Sequence, residues 1–313
     1  MAAIGVVCAR VRVEEKQLIA ALTDDGAVAM PVPPAPRPLP PSPTPPTAAS
    51  GIAADYDASS LTGDEAALVA LLIDRCQNRA IAEAMRPIWR ARGIPVLDAG
   101  LAAVGTRLQV VQALAAAGLP RPATLLACSE ETALAALERL GYPATLLPLT
   151  PGSATAPLYD RDTAEAVVEH RVVLGDAHEA ISLFQAGVPG EAQRLTVHVV
   201  DGQAIAVDEG GGEVRTDVLA LAERGALALD AAVIAVEIVT TPVGPVLWDV
   251  HPIAEFRRAR SLGEMSLAEA IARLALRRTG GHAAQTRLAG MDAALPGREW
   301  EVQHGVRGVA LSA

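Results

Sequence analysis

Between residues 93 and 151, glycine is followed two residues later by proline at three places, and this feature constrains the fold more than any other. The pairs are Gly93 with Pro95, Gly118 with Pro120, and Gly141 with Pro143. Glycine just after a helix, followed by proline, is typical of a helix end, and Thr106 and Ser129 are residue types that begin helices. The spacing predicts helices over Arg107–Ala117 and from Ser129 to Gly141, separated by short strands.

The residues before this segment alternate between strand and helix patterns. Short apolar runs predict strands and helical spacing predicts helices; in chain order these are strand Ala3–Ala9, helix Val13–Asp25, strand Ala66–Ile73, a helix over residues 78–92, and strand Ile94–Leu97. Pro87 is expected to kink the fourth element. Because alternating strands and helices favour a parallel sheet, we expect a small βαβαβ unit over residues 1–98.

A proline-rich insertion interrupts this unit at residues 31–46, where ten of sixteen residues are proline. Proline lacks the backbone N–H and favours extended polyproline II structure over a packed element. Such a segment is either a ligand for SH3-like domains or an exposed loop, and its position inside a small domain favours the loop.

Two hairpins are predicted in the second half of the chain. Leu195–Val200 and Gln203–Val207 flank Asp201-Gly202, a dipeptide that suits a two-residue turn. Strands Val233–Val239 and Val246–His251 flank a second turn that contains Pro242 and Val243. A hairpin centred near Val243 puts Glu237 opposite Asp249, with His251 on the same face. The residue pairs Asp162 with Glu165 and Ser266 with Glu269 have the spacing of helix capping boxes.

The succession from Gly93 through Gly105-Thr106-Arg107 to Gly141-Tyr142-Pro143 resembles the ATP-grasp ligases, and among them the RimK and LysX branch. The resemblance implies an α/β (α+β) chain with the ATP-grasp fold and a βαβ pre-ATP-grasp domain at its N-terminus. The implied organisation is a pre-ATP-grasp domain at 1–98, a small ATP-grasp subdomain at 99–185, a large subdomain with an antiparallel sheet at 186–280, and a C-terminal extension at 281–313.

By resemblance, the activity is the ATP- and magnesium-dependent joining of a carboxylate to an amine. ATP converts the carboxylate into an acyl phosphate, which the amine attacks. The implied substrates are an amino acid, a carrier protein or a protein C-terminus, in amino-acid biosynthesis or in protein modification.

The same resemblance implies the site residues. Those matching the family's nucleotide-binding positions are Arg107, Leu147, Gln185, Val188 and Arg194. Those matching its magnesium ligands are Glu237, Asp249 and His251, in a hairpin where the family has acids and an asparagine. Imidazole suits zinc, iron or nickel better than magnesium.

The ATP site is divergent in two places. Leu147 stands where the family has a second phosphate-binding lysine, and residues 208–213 replace a long loop that carries the family's acceptor-binding segment. A second reading is therefore open, in which the chain is a catalytically inactive homologue that acts as a binding or partner module.

The composition of the chain limits the classes of partner that it is expected to bind. A net charge of -10 and an aromatic content of 3% argue against nucleic acid. Cys8, Cys76 and Cys128 are too scattered for a metal motif and predict reduced thiols, and no apolar run reaches membrane-spanning length. We expect a cytoplasmic protein without a membrane partner; the sequence leaves open a homo-oligomer or association with an active ligase.

Overall fold

The structure is a computed structural model, and it describes residues 3–34, 69–91, 93–97, 105–151, 153–175, 181–187, 192–208 and 214–292, with side chains as far as residue 280. Most of the proline-rich insertion lies outside these residues, as does residue 188. Three sheets organise the described chain.

The first sheet is parallel, with strand order β2-β1-β3-β4. Its elements are β1 (Ala3–Val7), α1 (Val13–Asp24), β2 (Val28–Val32), β3 (Val69–Asp74), α2 (Arg79–Ala91) and β4 (Val96–Leu97). Pro31 belongs to β2, so the proline-rich stretch begins inside a strand and not in a spacer. An edge strand tolerates proline because one side of it needs no ladder hydrogen bonds.

The second sheet is antiparallel, with strand order β5-β8-β6-β7, and two helices pack on it. After α3 (Arg107–Ala116) its elements are β5 (Thr124–Ala127), α4 (Glu130–Leu140), β6 (Ala144–Leu147), β7 (Ala156–Leu158), α5 (Arg161–Leu174) and β8 (Ser182–Ala186). The predicted caps Thr106 and Ser129 are confirmed. The predicted box at Asp162 is wrong, because Asp160 caps α5 by accepting the Thr163 N–H at 2.8 Å.

The third sheet is also antiparallel, with strand order β12-β11-β9-β10-β13. Its elements are β9 (Arg194–Val200), β10 (Gln203–Asp208), α6 (Thr216–Ala228), β11 (Val233–Thr241), β12 (Gly244–His251), β13 (Ala259–Ser261) and α7 (Leu267–Asp292). The predicted turn at Asp201-Gly202 is confirmed, since both residues have positive φ, 52° and 78°, as a two-residue hairpin turn of this kind requires.

Helix α7 joins the first and third sheets. Its N-terminus carries the predicted capping box, in which Ser266 and Glu269 exchange backbone-to-side-chain hydrogen bonds of 2.7 and 3.2 Å. The helix packs beside α1 over apolar residues of β3, β9 and β10. It continues past residue 280, where we expected a separate extension to begin.

A buried arginine also links these two sheets. Arg75, which follows β3, donates to the Glu15 carboxylate at 3.2 Å and to the carbonyl of Ala254, and it lies 4.7 Å from the Phe256 ring centre. Its Nη2 is buried without a partner among the described residues. No helix in the described part of the chain is long and apolar enough to cross a membrane.

Candidate functional site

The hairpin of β11 and β12 contains one more residue than a regular ladder. Thr241 pairs with Gly244 across the turn Pro242-Val243, but the register shifts by one residue farther along, and Trp248 is the extra residue. A β-bulge of this kind leaves its extra residue outside the ladder. The turn therefore lies half a residue before the predicted centre, and the bulge compensates for the difference.

The predicted facing of Glu237 and Asp249 is confirmed by this register. Glu237 lies opposite Asp249, and His251 lies opposite Ala235 two residues along the same face. Strand β9 continues the face, with Thr196 opposite Glu237. The two acids nevertheless have different partners.

Arg107 forms hydrogen bonds to both carboxylate oxygens of Asp249. It begins α3, its side chain is buried, and it donates from Nε and Nη2 to the two carboxylate oxygens at 3.2 and 2.7 Å. Nη1 donates to the carbonyls of Pro148 at 2.6 Å and Thr150 at 3.2 Å, and Nη2 to that of Ser153 at 3.3 Å. A guanidinium group has five N–H donors, and five acceptors of this chain are in place.

Glu237 is also paired with cations of the chain. Arg194 Nη1 donates to one carboxylate oxygen at 2.9 Å, and His251 Nε2 lies 3.4 Å from the other. The Arg194 guanidinium lies over the Trp248 ring, 4.7 Å from its centre.

The pKa values follow from these contacts. Burial by itself would raise the pKa of Glu237, but the hydrogen bonds from His251 and Arg194 outweigh it, and the pKa is lowered. The hydrogen bond to Glu237 raises the pKa of His251 against the opposing effect of burial. An imidazole held in its protonated form has no lone pair to offer a metal.

The cleft between the second and third sheets is closed at this point. Leu147 is buried at the end of β6, and Gln185 of β8 donates from Nε2 to the Trp248 carbonyl at 3.0 Å. Together with Arg107 they line a cavity of about 20 Å³. Val188, the remaining residue predicted to bind nucleotide, lies outside the described residues.

A larger cavity lies between the first and third sheets, where Thr196 and His251 are part of its lining. Its volume is about 260 Å³, and its polar lining includes Gln77, Arg79, Thr196, His198, Asp208 and His251. His198 Nε2 lies 2.7 Å from Asp208 Oδ1, and His198 Nδ1 is buried without a partner in the described residues. Burial acts to raise the pKa of Asp208, but the hydrogen bond with His198 outweighs it and the pKa is lowered.

Sequence reasoning missed this histidine–carboxylate pair. A regular hairpin around Asp201-Gly202 would put Asp208 on the face opposite to His198. A second bulge in β10, at Ile205, shifts the register so that His198 pairs with Ala206, which brings Asp208 to the same face. The alternation of residue types around the turn contains no signal for that extra residue.

Comparisons with known proteins identify the architecture. No protein-family model matches the sequence. Among solved structures, a RimK-domain ATP-grasp protein from Sphaerobacter thermophilus is 28% identical with a TM-score of 0.66, over 88% of this chain and 100% of that chain. The D-alanine–D-alanine ligase of Bacillus anthracis, solved with ATP, is 12% identical with a TM-score of 0.63, over 91% of this chain and 100% of that chain. This chain has the ATP-grasp fold.

Peptide-binding members of the ATP-grasp group also match. The macrocyclase MdnC from Microcystis aeruginosa, solved with its precursor peptide MdnA, is 13% identical with a TM-score of 0.59, over 88% of this chain and 100% of that chain. The general prediction of an ATP-grasp ligase fold is confirmed. Assignment to the RimK/LysX branch stays a prediction.

The ATP-grasp relatives raise the question of whether this cleft fits ATP and magnesium. Leu147 supplies no cation, the Arg107 donors are all engaged by groups of the chain, and both Asp249 oxygens accept hydrogen bonds from Arg107. Within the described residues, no group of three or more His, Cys, Asp or Glu side chains is arranged to hold a metal ion. The side chains as arranged here do not fit magnesium-bound ATP, and the predicted magnesium site stays a prediction.

Proposed function

We propose that this chain is a binding protein built on the ATP-grasp ligase fold, and that it binds an amino acid or peptide through a carboxylate without using ATP. The bidentate pair of Arg107 with Asp249 carries this proposal. It engages the cation expected to hold phosphate and an acid expected to hold magnesium.

The energetics of the cleft support this reading. Separating a buried ion pair costs about 3–5 kcal/mol when one partner is left without compensation. A phosphate that displaced Asp249 would have to offset that cost without the second cation, whose charge-assisted hydrogen bond would contribute about 1.5–3 kcal/mol. Leu147, at 3% exposure, cannot supply it.

The open cavity between the first and third sheets is the proposed binding site. Its lining contains two acids, Asp208 and Glu255, and the basic residues Arg79 and His251. The raised pKa of His251 favours its cationic form. Among the described residues, Arg79 makes its hydrogen bonds through Nη1, to Asp74 at 3.0 Å and to the Cys76 carbonyl at 3.2 Å. Its other donors are therefore available to a carboxylate.

The peptide class of ligand is supported by two matching proteins. The ligase PsnB and the macrocyclase MdnC were both solved with precursor peptides. For this chain we propose a single amino acid or the end of a peptide, because a cavity of about 260 Å³ lies just below the usual range for small-molecule pockets, about 300–1,000 Å³.

A second candidate is the carboxylate–amine ligase, and one observation favours it. The Arg107 helix packs on the third sheet, which also carries Asp249, but the Arg107 guanidinium also donates to three carbonyls that follow β6 of the second sheet. A movement of the second sheet away from the third would therefore free the three Arg107 N–H groups that bond to these carbonyls. The ligase candidate requires that ATP and magnesium drive this opening.

Titration with ATP, with and without magnesium, separates the two candidates. We expect no binding heat and no change in thermal unfolding at millimolar ATP, with the Bacillus anthracis D-alanine–D-alanine ligase as positive control. Ligand at about 100 times its dissociation constant would stabilise the protein by about 2.7 kcal/mol. Magnesium-dependent binding would exclude the proposed function and favour the ligase.

The proposed binding site has its own test. A panel of amino acids and dipeptides, each with a free or an amidated C-terminus, is screened by thermal unfolding and calorimetry. We expect stabilisation only by free carboxylates, weakened in a His251→Asn variant and unchanged in Arg215→Gln, which alters an exposed pair elsewhere. Equal effects of free and amidated ligands would contradict the proposal.

A further inference from the structure

The parallel sheet has a switch point that the proposed function does not use. β1 lies between β2 and β3, so the chain leaves β1 towards one side of the sheet and leaves β3 towards the other. In open α/β sheets, ligands bind at the carboxyl ends of the strands beside such a point. The loop after β1 leads there directly into α1.

Cations from two distant segments converge at this end of β1. Arg10, Arg12 and Lys16 line an open groove of about 480 Å³ together with Arg257 of the third-sheet region. The side chains of Arg10, Lys16 and Arg257 are exposed, and they make no hydrogen bond or ion pair with described residues. The groove stands out in a chain whose net charge is -10.

Two carboxylates also line the groove, Glu14 and Glu255. Against the four cations they leave an excess of two positive charges. Glu15, the neighbour of Glu14, does not line the groove, and it pairs with Arg75 at 3.2 Å and with the groove residue Arg12 at 3.4 Å. Counting Arg75 against Glu15 leaves the excess of two unchanged. The remaining charge thus matches a dianion.

The N-terminus of α1 opens into the same groove. Val13 and Glu14 belong to its first turn and line the groove; the Arg12 side chain does not cap the helix, while Glu15 accepts the Arg12 backbone N–H at 3.0 Å. Free N–H groups and the helix dipole favour an anion at this end. Arginine forks also match the oxygen geometry of phosphate.

We propose that this groove, formed by Arg10, Arg12, Lys16 and Arg257, binds a small phosphate-bearing ligand. The site is independent of the closed cleft, because no residue of the cleft cavity lines the groove. An acidic peptide is the other anionic ligand that the experiment distinguishes.

Lys16 makes the groove directly testable, because it is the only lysine in the chain. Pyridoxal 5′-phosphate forms an imine with an amine, losing water, and borohydride then reduces the imine by adding hydride to its carbon. The product is a stable secondary amine that peptide mapping assigns to Lys16 or to the N-terminal amine. 5′-Deoxypyridoxal, which lacks the phosphate and cannot close to an internal hemiacetal, is the matched control.

We expect pyridoxal 5′-phosphate to label Lys16 at least about tenfold more than 5′-deoxypyridoxal does at low concentration, because charge-assisted hydrogen bonds to phosphate add affinity. Inorganic pyrophosphate should protect Lys16, and the preference should fall in Arg10→Gln and Arg257→Gln but not in Arg215→Gln. These exposed positions allow the fold to be checked by circular dichroism.

Equal labelling by the two reagents would overturn the proposal. Protection by triglutamate but not by pyrophosphate would also overturn it and indicate an acidic peptide. Pyrophosphate protection that survives both arginine substitutions would place the phosphate elsewhere. None of these outcomes depends on whether ATP enters the cleft, so the two proposals fail separately.

Discussion

Two buried arginines differ in how many of their hydrogen-bond donors are paired. Arg107, in the cleft between the second and third sheets, has five acceptors for its five donors. Arg75, between the first and third sheets, bonds to Glu15 and Ala254 and keeps a buried Nη2 without a partner in the described residues. Each arginine lines only a small cavity, of about 20 Å³ for Arg107 and about 10 Å³ for Arg75. The open cavities of about 260 and 480 Å³ are lined by other residues of the region around the first sheet.

The difference distinguishes residues that carry the family resemblance from residues that are free to bind a ligand. The cleft retains cations and acids at the positions that the family resemblance marks, yet Arg107 pairs with Asp249, and Glu237 pairs with Arg194 and His251. The region around the first sheet carries few residues that the resemblance marks, but it contains cations without partners. Charges with no partner, rather than charges at marked positions, indicate where a ligand can bind.

The largest effect is expected from Asp249→Ala. Removing the carboxylate leaves the buried Arg107 guanidinium uncompensated, which should lower the free energy of unfolding by about 3–5 kcal/mol. Urea denaturation measures it. The matched control is Asp217→Ala in an exposed pair, expected to cost below about 1 kcal/mol. A loss as small as the control's would show that the cleft is not closed in solution.

Leu147→Lys is the next largest. A buried lysine without a partner has a depressed pKa, and a depression of about two units corresponds to about 2.7 kcal/mol of lost stability. We expect no gain in ATP affinity by calorimetry, because the cavity is about 20 Å³. Leu147→Met is the control and should cost below about 1.5 kcal/mol. Magnesium-dependent ATP binding in the lysine variant would mean that one side chain, not closure, blocks the site.

Glu15→Gln tests the pair in the open region and should cost about 1–3 kcal/mol at neutral pH. Burial acts to raise the pKa of Glu15, but Arg75 and the Arg12 N–H lower it overall. The stabilisation is therefore present above the unfolded pKa, about 4.3, and is lost as pH falls through the lower folded pKa.

The stabilities of wild type and the Glu15→Gln variant should therefore converge as pH falls. Unfolding of both proteins from pH 7 down to pH 3 measures this. Glu138→Gln, in an exposed pair with Arg161, is the control and should change little. A difference that stays constant over the whole range would mean that the Glu15 charge does not stabilise the fold.

Arg194→Gln should have the smallest effect, about 1 kcal/mol, because its pair with Glu237 is exposed and its contact with Trp248 adds only a surface cation–π term. The informative readout is the Glu237 pKa, which should rise when a hydrogen bond that lowers it is removed. Carboxyl carbon NMR titration measures it. An unchanged pKa would show that His251 alone controls this acid.

Local chemistry was sufficient to predict much of the fold. Thr106, Ser129 and Ser266 begin helices as their caps and following residues predict, and Asp201-Gly202 forms the expected turn. The cap of α5 was misplaced because acids stand at both 160 and 162. Only the contact with the Thr163 N–H distinguishes them.

The site was predicted in part, because residue identity and residue pairing are separate problems. The facing of Glu237 and Asp249 follows from the hairpin. The partner of Asp249 lies 142 residues away in the sequence, and no local spacing contains such a contact. The pairing of His198 with Asp208 depends on a bulge, which adds a residue without a characteristic residue type.

The bulge at Trp248 also has a meaning in evolutionary terms. Without this residue the ladder would continue regularly from the turn and would still put Asp249 opposite Glu237. Yet the Trp248 carbonyl, outside the ladder, is the group that holds Gln185 of the neighbouring sheet, and the indole lies under Arg194. Loss or gain of a single codon at this position would therefore uncouple or couple two sheets while the facing acids stay in register.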